Sequence, residues 1–400
     1  MFNLAYKLFM VPYQIEYNVK LGSYTVTSTT WKKYFTLILT GISAILASAM
    51  VNSAFSEVSL RTPAVIFEVA PEIGDIYLCF TIWYVVWRRK NAVCAFWTLM
   101  TLQTYKLWRR DEVQTHFHIN ESFMKNPQIF SSKPPKRKSV DKKGNLLYPS
   151  IFCVIILLLV AVLDVIKIIG TFATFHGEKS VGTFLNFLKT GLFLPTEEPK
   201  TWNEINTAEL LVFCCLSFLM CYIKVFKGFA ILLAIAGVIV ILQNACELEE
   251  YLKTEADQLK IIQAFQHFRD FLEVINEIIG PIIFGVGIVC APSFSVANLA
   301  RIMVSWNYES PNIWVTMWIY TFVLMGSAEV INKIDEFREW ILENGEGEYE
   351  QHLFCMFVDL TQNPVGIRGM QYFTVTYSFV AQMSSAVVTF TIILLQFQSG

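Results

Sequence analysis

The chain has 400 residues, of which 54% are hydrophobic and only 16% charged, with a formal net charge of -2. Soluble domains carry about 25% charged residues, so this much apolar surface excludes a single water-exposed core and makes lipid the expected solvent. The near-neutral balance says nothing about nucleic acid, and no Lys/Arg stripe sits on a periodic helix that could track phosphates, so no nucleic-acid partner is expected.

Residues 1–33 are polar and aromatic, with Lys7, Lys20, Lys32 and Lys33, and no cleavable signal sequence precedes the first apolar run. A cytoplasmic N-terminus is expected. Tyr34 to Ser56 is free of charge and long enough to span, which makes it the first of the membrane segments in residues 34–331. The second, about Ala64 to Trp87, carries Glu68, Glu72 and Asp75 at spacings of four and three, on one helix face. Either these carboxylates line a polar vestibule near the outer leaflet, or Pro71 breaks the segment and residues 64–72 lie at the interface.

Arg88-Arg89-Lys90 stops that span, and the loop 88–147 holds thirteen of the chain's 31 Lys and Arg. By the positive-inside rule this loop is cytoplasmic. Within it, Ala92 to Leu107 reads as an interfacial helix, and the Pro, Ser and Lys content of 131–145 reads as disordered. The orientation has a direct test, because Asn120-Glu121-Ser122 is the sole Asn-x-Ser/Thr acceptor in the sequence and must stay unmodified on the inside. A glycosidase-sensitive mobility shift that disappears in Asn120→Gln would reverse the topology.

The third span, about Tyr148 to Gly170, carries Asp164 and Lys167 three residues apart, close enough to pair on one helix face or to take part in a ligand response. Residues 171–206 read as an outer loop. In Thr207 to Glu247, Lys224, Lys227 and Gly228 divide the apolar sequence, so one long tilted helix and two short spans are both allowed. The flanking charges do not choose between them.

From Leu248 to Glu277 the chain is acidic and amphipathic, with Ile261, Phe265, Phe268, Leu272 and Ile275 at alternating spacings of four and three. That is the seam of packed helices. Ile278 to Ala300 is the fifth span, with a kink expected at Gly280-Pro281. Asn312 to Ile331 is the sixth. Its Trp314, Trp318 and Tyr320 fit an aromatic belt at the membrane interface or the lining of a small-molecule pocket. Residues 332–368, rich in Glu, form a last inner segment.

After Arg368 there is no further Asp, Glu, Lys or Arg. As one straight helix, residues 369–400 would run about 48 Å against about 30 Å of hydrocarbon, so a break is expected, placed at Ser384-Ser385. Gln382, Thr389 and Gln396 recur every seven residues, and Ser378 and Ser385 share their face. Such a polar stripe either glues helices together or lines a water-filled pore.

Catalysis finds little in the sequence. His116, His118, His176, His267 and His352 are scattered, with no HExxH, P-loop or G-x-S-x-G, and no metal site or cofactor is expected. The nine cysteines lie mostly in apolar runs, without a CxxC pair, which argues against a disulfide framework.

Thr389-Phe390, the five residues Thr391 to Leu395, and Gln396-Phe397 resemble the signature that ends the arthropod gustatory receptor family: Thr-Tyr, five mostly apolar residues, Gln-Phe. Phe390 in place of Tyr and the polar Thr391 are departures. Asn363-Pro364-Val365-Gly366 and Met370 to Ser378 are similar to the family's approach to its seventh span, and Phe271 to Phe284 to the start of its fifth. The resemblance implies an all-α, polytopic membrane protein with seven transmembrane helices, residues 207–247 forming a single fourth span. It implies a cytoplasmic helical anchor region, including 248–277, where subunits meet. It further implies a tetrameric, plasma-membrane cation channel opened by a small-molecule tastant, homomeric or built with related receptors, with an extracellular C-terminus.

The second half of 369–400 would then line the pore. Gln396 and Phe397 would stand at the gate with Thr389, Ile393 and Gln382 along the same helix. A ligand pocket in the outer half of the bundle could draw on Trp314, Trp318, Tyr320, Asp164 and Glu72. The family's sugar-responsive branch often has an acid after Thr-Tyr, where Thr391 stands here, which points to a bitter or orphan receptor. The alternative is a seven-span G-protein-coupled receptor with an extracellular N-terminus. Against it stand the absence of Asp-Arg-Tyr after the third span, the short sequence beyond Gln396-Phe397, and an Asn-Pro at 363–364 that lies outside the last span.

Overall fold

Helix length sorts the elements into two kinds. The computed structural model describes residues 6–7, 11–18, 23–57, 63–95, 207–254, 258–305, 311–344 and 350–398. Helix α1 (Thr30–Glu57) and α2 (Pro63–Arg88) have 28 and 26 residues, about 40 Å each, enough to cross a bilayer and little more. Helix α3 (Thr207–Thr254) has 48 residues and would run about 72 Å. It is one unbroken helix through Lys224, Lys227 and Gly228, so the segment left open by its charges is a single span with a long extension.

Two further elements overshoot the membrane on the same principle. Helix α4 (Gln258–Phe284) passes directly into a π turn (Gly285–Cys290) and then α5 (Ala291–Ser305), so the fifth span is continuous with the amphipathic segment before it. Helix α6 (Pro311–Asn344) has 34 residues, about 51 Å. The short α7 (Glu350–Gln362) follows, then a two-stranded turn of β3 (Arg368–Gly369) and β4 (Phe373–Thr374), and finally α8 (Tyr377–Gln398). The expected third span with Asp164 and Lys167, most of the basic loop and residues 171–206 lie outside the described residues. Residues 90–95 are helical, at the start of the expected interfacial helix.

The inside and outside of α1 are inverted relative to a helix of a soluble protein. Phe35, Ile38, Ile42 and Ile45, at spacings of three and four, are exposed, whereas Thr36 and Ser43 are fully buried. That arrangement suits hydrocarbon outside and protein inside. Its inner face meets α2 and α3, whose Leu78, Ile82, Val85, Phe226, Leu233 and Ile241 form the membrane-level core.

The ends of α3 and α6, the first half of α4 and α7 make a second bundle, called the aqueous bundle for the ion pairs that rim it. Its core is the predicted seam: Ile261, Phe265, Phe268, Leu272 and Ile275 are all buried. Phe265 stacks on Phe337 at 4.2 Å, and Phe337 in turn lies parallel to Trp340 at 6.0 Å. Around the core, Lys333 of α6 reaches Glu249 of α3 at 2.8 Å and Glu336 at 2.9 Å, and the hydrogen bonds it donates to these two carboxylates hold the ammonium well above its ordinary pKa. Arg269 of α4 pairs with Asp359 of α7; Asn363 first and then Arg269 bond that carboxylate and lower its pKa.

The N-terminal segment holds a hairpin that its polar composition does not announce. Strand β1 (Gln14–Asn18) pairs antiparallel with β2 (Ser23–Thr27), Ile15 opposite Val26. Val11, Tyr13 and Ile15 alternate in sequence and are buried in the same core as Ala92 and Val93.

Candidate functional site

Helix α8 begins where the chemistry of a cap places it. The Thr376 hydroxyl accepts a hydrogen bond from the Phe379 N–H at 3.0 Å, which satisfies one of the free donors of the first turn. From Tyr377 the helix has 22 residues, about 33 Å, a match to the hydrocarbon thickness. The break expected at Ser384-Ser385 is therefore not there. Residues 368–374 are used instead in the strand turn, with Met370 at φ 58, and Ser384 bonds back to the Val380 carbonyl at 2.9 Å without interrupting the helix.

That turn is the mount of the helix, and one side chain fixes it. Asn276 of α4 donates through Nδ2 to the Gly366 carbonyl at 3.0 Å and accepts through Oδ1 from the Arg368 N–H at 3.1 Å. The Met370 N–H bonds to the Gly280 carbonyl at 3.2 Å, and a Cβ at Gly280 would stand 3.2 Å from the Arg368 carbonyl, so glycine eases this close approach. At the first residue of the helix, the Tyr377 hydroxyl donates to the Glu329 carboxylate of α6 at 2.5 Å, and Asn332 donates to the same oxygen at 3.4 Å. None of Asn276, Glu329 and Tyr377 stands out in the sequence.

Only a narrow stripe of α8 touches its own subunit. Phe379, Met383, Val387 and Thr391, four residues apart, are half or fully buried, mostly against α5 and less against α6 and α2. Across the helix, Ser378, Gln382, Ser385, Thr389, Ile393 and Gln396 are exposed. The structure thus brings Gln382, Thr389, Ile393 and Gln396 onto one face pointing away from the subunit, with the Thr389 hydroxyl bonded to the Ser385 carbonyl at 2.9 Å. The side chain of Phe397 lies outside the described set. Facing a glutamine amide to hydrocarbon, which offers it no partner, costs about 4–8 kcal/mol. This face therefore calls for water or another protein surface.

The residues expected around a ligand do not converge among the described side chains. Trp318 is 71% exposed, whereas Tyr320, 200° further round α6, is 2% exposed and packs edge-on against Phe294 of α5 at 6.0 Å. Glu72 lies on α2 and Trp314 on α6, but their side chains, like all of Asp164, are outside the described set.

Crossing helices, an aqueous bundle built on their extensions and a short last helix with an uncovered polar face define an architecture with solved counterparts. It matches the insect olfactory receptor OR5 from Machilis hrabei in complex with eugenol, with a TM-score of 0.57 at 10% identity over 99% of this chain and 96% of that one. The chain has the insect olfactory receptor fold. A second structure of that receptor matches with a TM-score of 0.52 at 13% identity, over 92% of this chain and 90% of that one. No family model and no curated protein matches the sequence. The insect olfactory receptor fold is all-α and crosses the membrane repeatedly, in agreement with the reading from composition and motif.

Proposed function

We propose that this chain is a gustatory-type chemoreceptor subunit that assembles around the uncovered face of α8 into a ligand-gated, non-selective cation channel. The observation that carries the reading is that face: a helix free of charge, of bilayer length, with Gln382, Thr389, Ile393 and Gln396 turned away from their own subunit. Four copies around an axis would surround the two glutamines with water and with each other. The sequence ending in Gln396-Phe397 supports the gustatory branch, and a neighbour solved with eugenol supports a small organic ligand. The plasma membrane is the proposed location, the basic loop and the aqueous bundle inside and the end of α8 outside. Homotetramers and mixed assemblies with related receptors both fit this surface.

In the closed state four Gln396 amides hydrogen-bond across the axis with Phe397 packed behind them; in the open state water takes their place and amide dipoles meet the ion. With no carboxylate ring in α8, monovalent cations should pass with weak discrimination. A tastant opens the gate only to the extent that it binds the open state more tightly. Patch-clamp recording of surface-expressed Gln396→Ala tests the reading. Ligand-independent leak or ion preference should change severalfold, whereas Ile393→Val should behave as the parent does. Identical leak, conductance and ion preference in Gln396→Ala would leave the polar stripe as packing between helices.

A further inference from the structure

The fifth span changes its hydrogen-bond pattern in mid-membrane. Gly285–Cys290 forms a π turn, closed by the Ala291 N–H on the Val286 carbonyl five residues back. Such a turn holds one residue more than an α turn, and π turns within α-helices concentrate at functional sites. Three elements, α2 on one side and β4 and α8 on another, lie against it. On one, the Tyr77 hydroxyl of α2 donates to the Pro281 carbonyl at 3.3 Å, and its ring fills the space of a side chain at Gly285, where a Cβ would stand 2.3 Å away. Gly74, on the same face of α2, gives way to Cys290 in the same manner, its Cβ position 3.0 Å from the thiol sulfur. On the other side Phe373 and Phe379, stacked at 4.4 Å, approach the Cβ position of Gly287 to 3.4–3.5 Å. Directly beyond the turn runs α5, the element against which α8 is chiefly packed.

We propose that the π turn is a joint that carries movement of α2 into α8. Its extra residue can sit at more than one position along the helix. Each step of that residue turns the position it passes by about 100° and shifts it by about 1.5 Å, which no rigid α-helix can do without unfolding. Gly285 gives the wide turn room beneath the Tyr77 ring, the aromatic pair lies in van der Waals reach of Gly287, and Tyr77 sets the turn's position through the Pro281 carbonyl. Tyr77 is thus a positioning residue, acting on the polar face of α8 through α5. The consequence for ion flow rests on the channel reading; the mechanical coupling does not.

The test uses the full-length protein in lipid nanodiscs and needs no ligand. In hydrogen exchange the amides of 285–291 should exchange at least tenfold faster than those of 278–284. Deleting Ile288, which is exposed at the outer side of the turn, removes the extra residue and should slow them at least tenfold. Coupling is read at α8 as the rate at which a water-soluble thiol reagent modifies Gln396→Cys, corrected for the parent's own cysteines. That rate should change at least threefold when Ile288 is deleted, and in the same sense but less when Tyr77→Phe removes only the hydroxyl. Should the deletion fail to fold, Tyr77→Phe carries the same question with the ring retained. Exchange equal to the flanking helix, or an unchanged modification rate in Tyr77→Phe, overturns the joint. Leak, conductance and ion preference identical in Gln396→Ala and the parent would overturn the channel reading and leave these measurements in force.

Discussion

Asn276→Ala detaches the mount of α8 while leaving the rest of the subunit folded. The side chain makes two hydrogen bonds to the backbone of the connecting turn, each worth about 1 kcal/mol net. The larger effect comes from what is left behind, since the Gly366 carbonyl and the Arg368 N–H lose their partner in a half-buried site, at about 1–3 kcal/mol each. Alanine offers neither donor nor acceptor, and the space is too confined for both groups to be hydrated well. The turn should open locally, with residues 366–374 exchanging amide protons on the order of tenfold to a hundredfold faster and becoming sensitive to protease. The melting temperature of the aqueous bundle should move far less. Asn276→Asp, which keeps the acceptor for Arg368 and loses the donor to Gly366, should fall between parent and alanine. Equal protection of 366–374 in parent and Asn276→Ala would show that the Met370 and Val375 backbone bonds hold the turn without it.

Phe265→Ala is the most damaging single change expected in the aqueous bundle. The ring is 2% exposed and lies in a stack on Phe337 that continues to Trp340, joining α4 to α6. Removing a buried aromatic side chain leaves a cavity and costs about 3–5 kcal/mol, a large share of what a domain of this kind has to lose. Thermal unfolding of the purified protein, followed by near-UV circular dichroism, should report an earlier transition for the bundle. Phe354→Ser provides the contrast. Phe354 on α7 is 64% exposed, as Leu342 on α6 is at 65%, on the bundle rimmed by ion pairs. Its replacement should leave the melting transition in place and lower the fraction of higher oligomer on size exclusion. Equal melting of Phe265→Ala and the parent would remove the bundle core from the account of stability.

How far each of these features could be read from residues alone follows from the range of the interaction involved. The seam at 261–275 is a local periodicity, and every one of its five side chains is buried. The polar face of α8 is likewise a period of seven, and the helix presents it as one strip. The single fourth span could not be derived from its own charges, because Lys224 and Lys227 end a helix in one topology and ride along it in the other. The misplaced break in the last span has a simple cause: a serine pair in a membrane helix can return its hydroxyls to its own carbonyls, as Ser384 does, and the cap at Thr376 was the stronger signal. Asn276, Tyr77 and Glu329 were illegible because each acts on a partner far along the chain. The N-terminal hairpin did carry a signal, the alternation of Val11, Tyr13 and Ile15, but over only five residues and interrupted by Pro12.

The distance in sequence between Asn276 and the turn it holds also dictates an order of synthesis. The turn's partners lie 90 and 92 residues upstream, and the slot for α8 between α5 and α6 is complete only when α6 has been made. A helix with glutamines, serines and threonines along one side partitions poorly into lipid by itself. Insertion of α8 is then templated by the earlier helices, after the turn has closed on α4, and its free side stays uncovered until the proposed neighbouring subunits arrive. The step that seats α8 leaves open the same surface that the proposed activity uses, so slow assembly and faulty gating should follow from the same substitutions there.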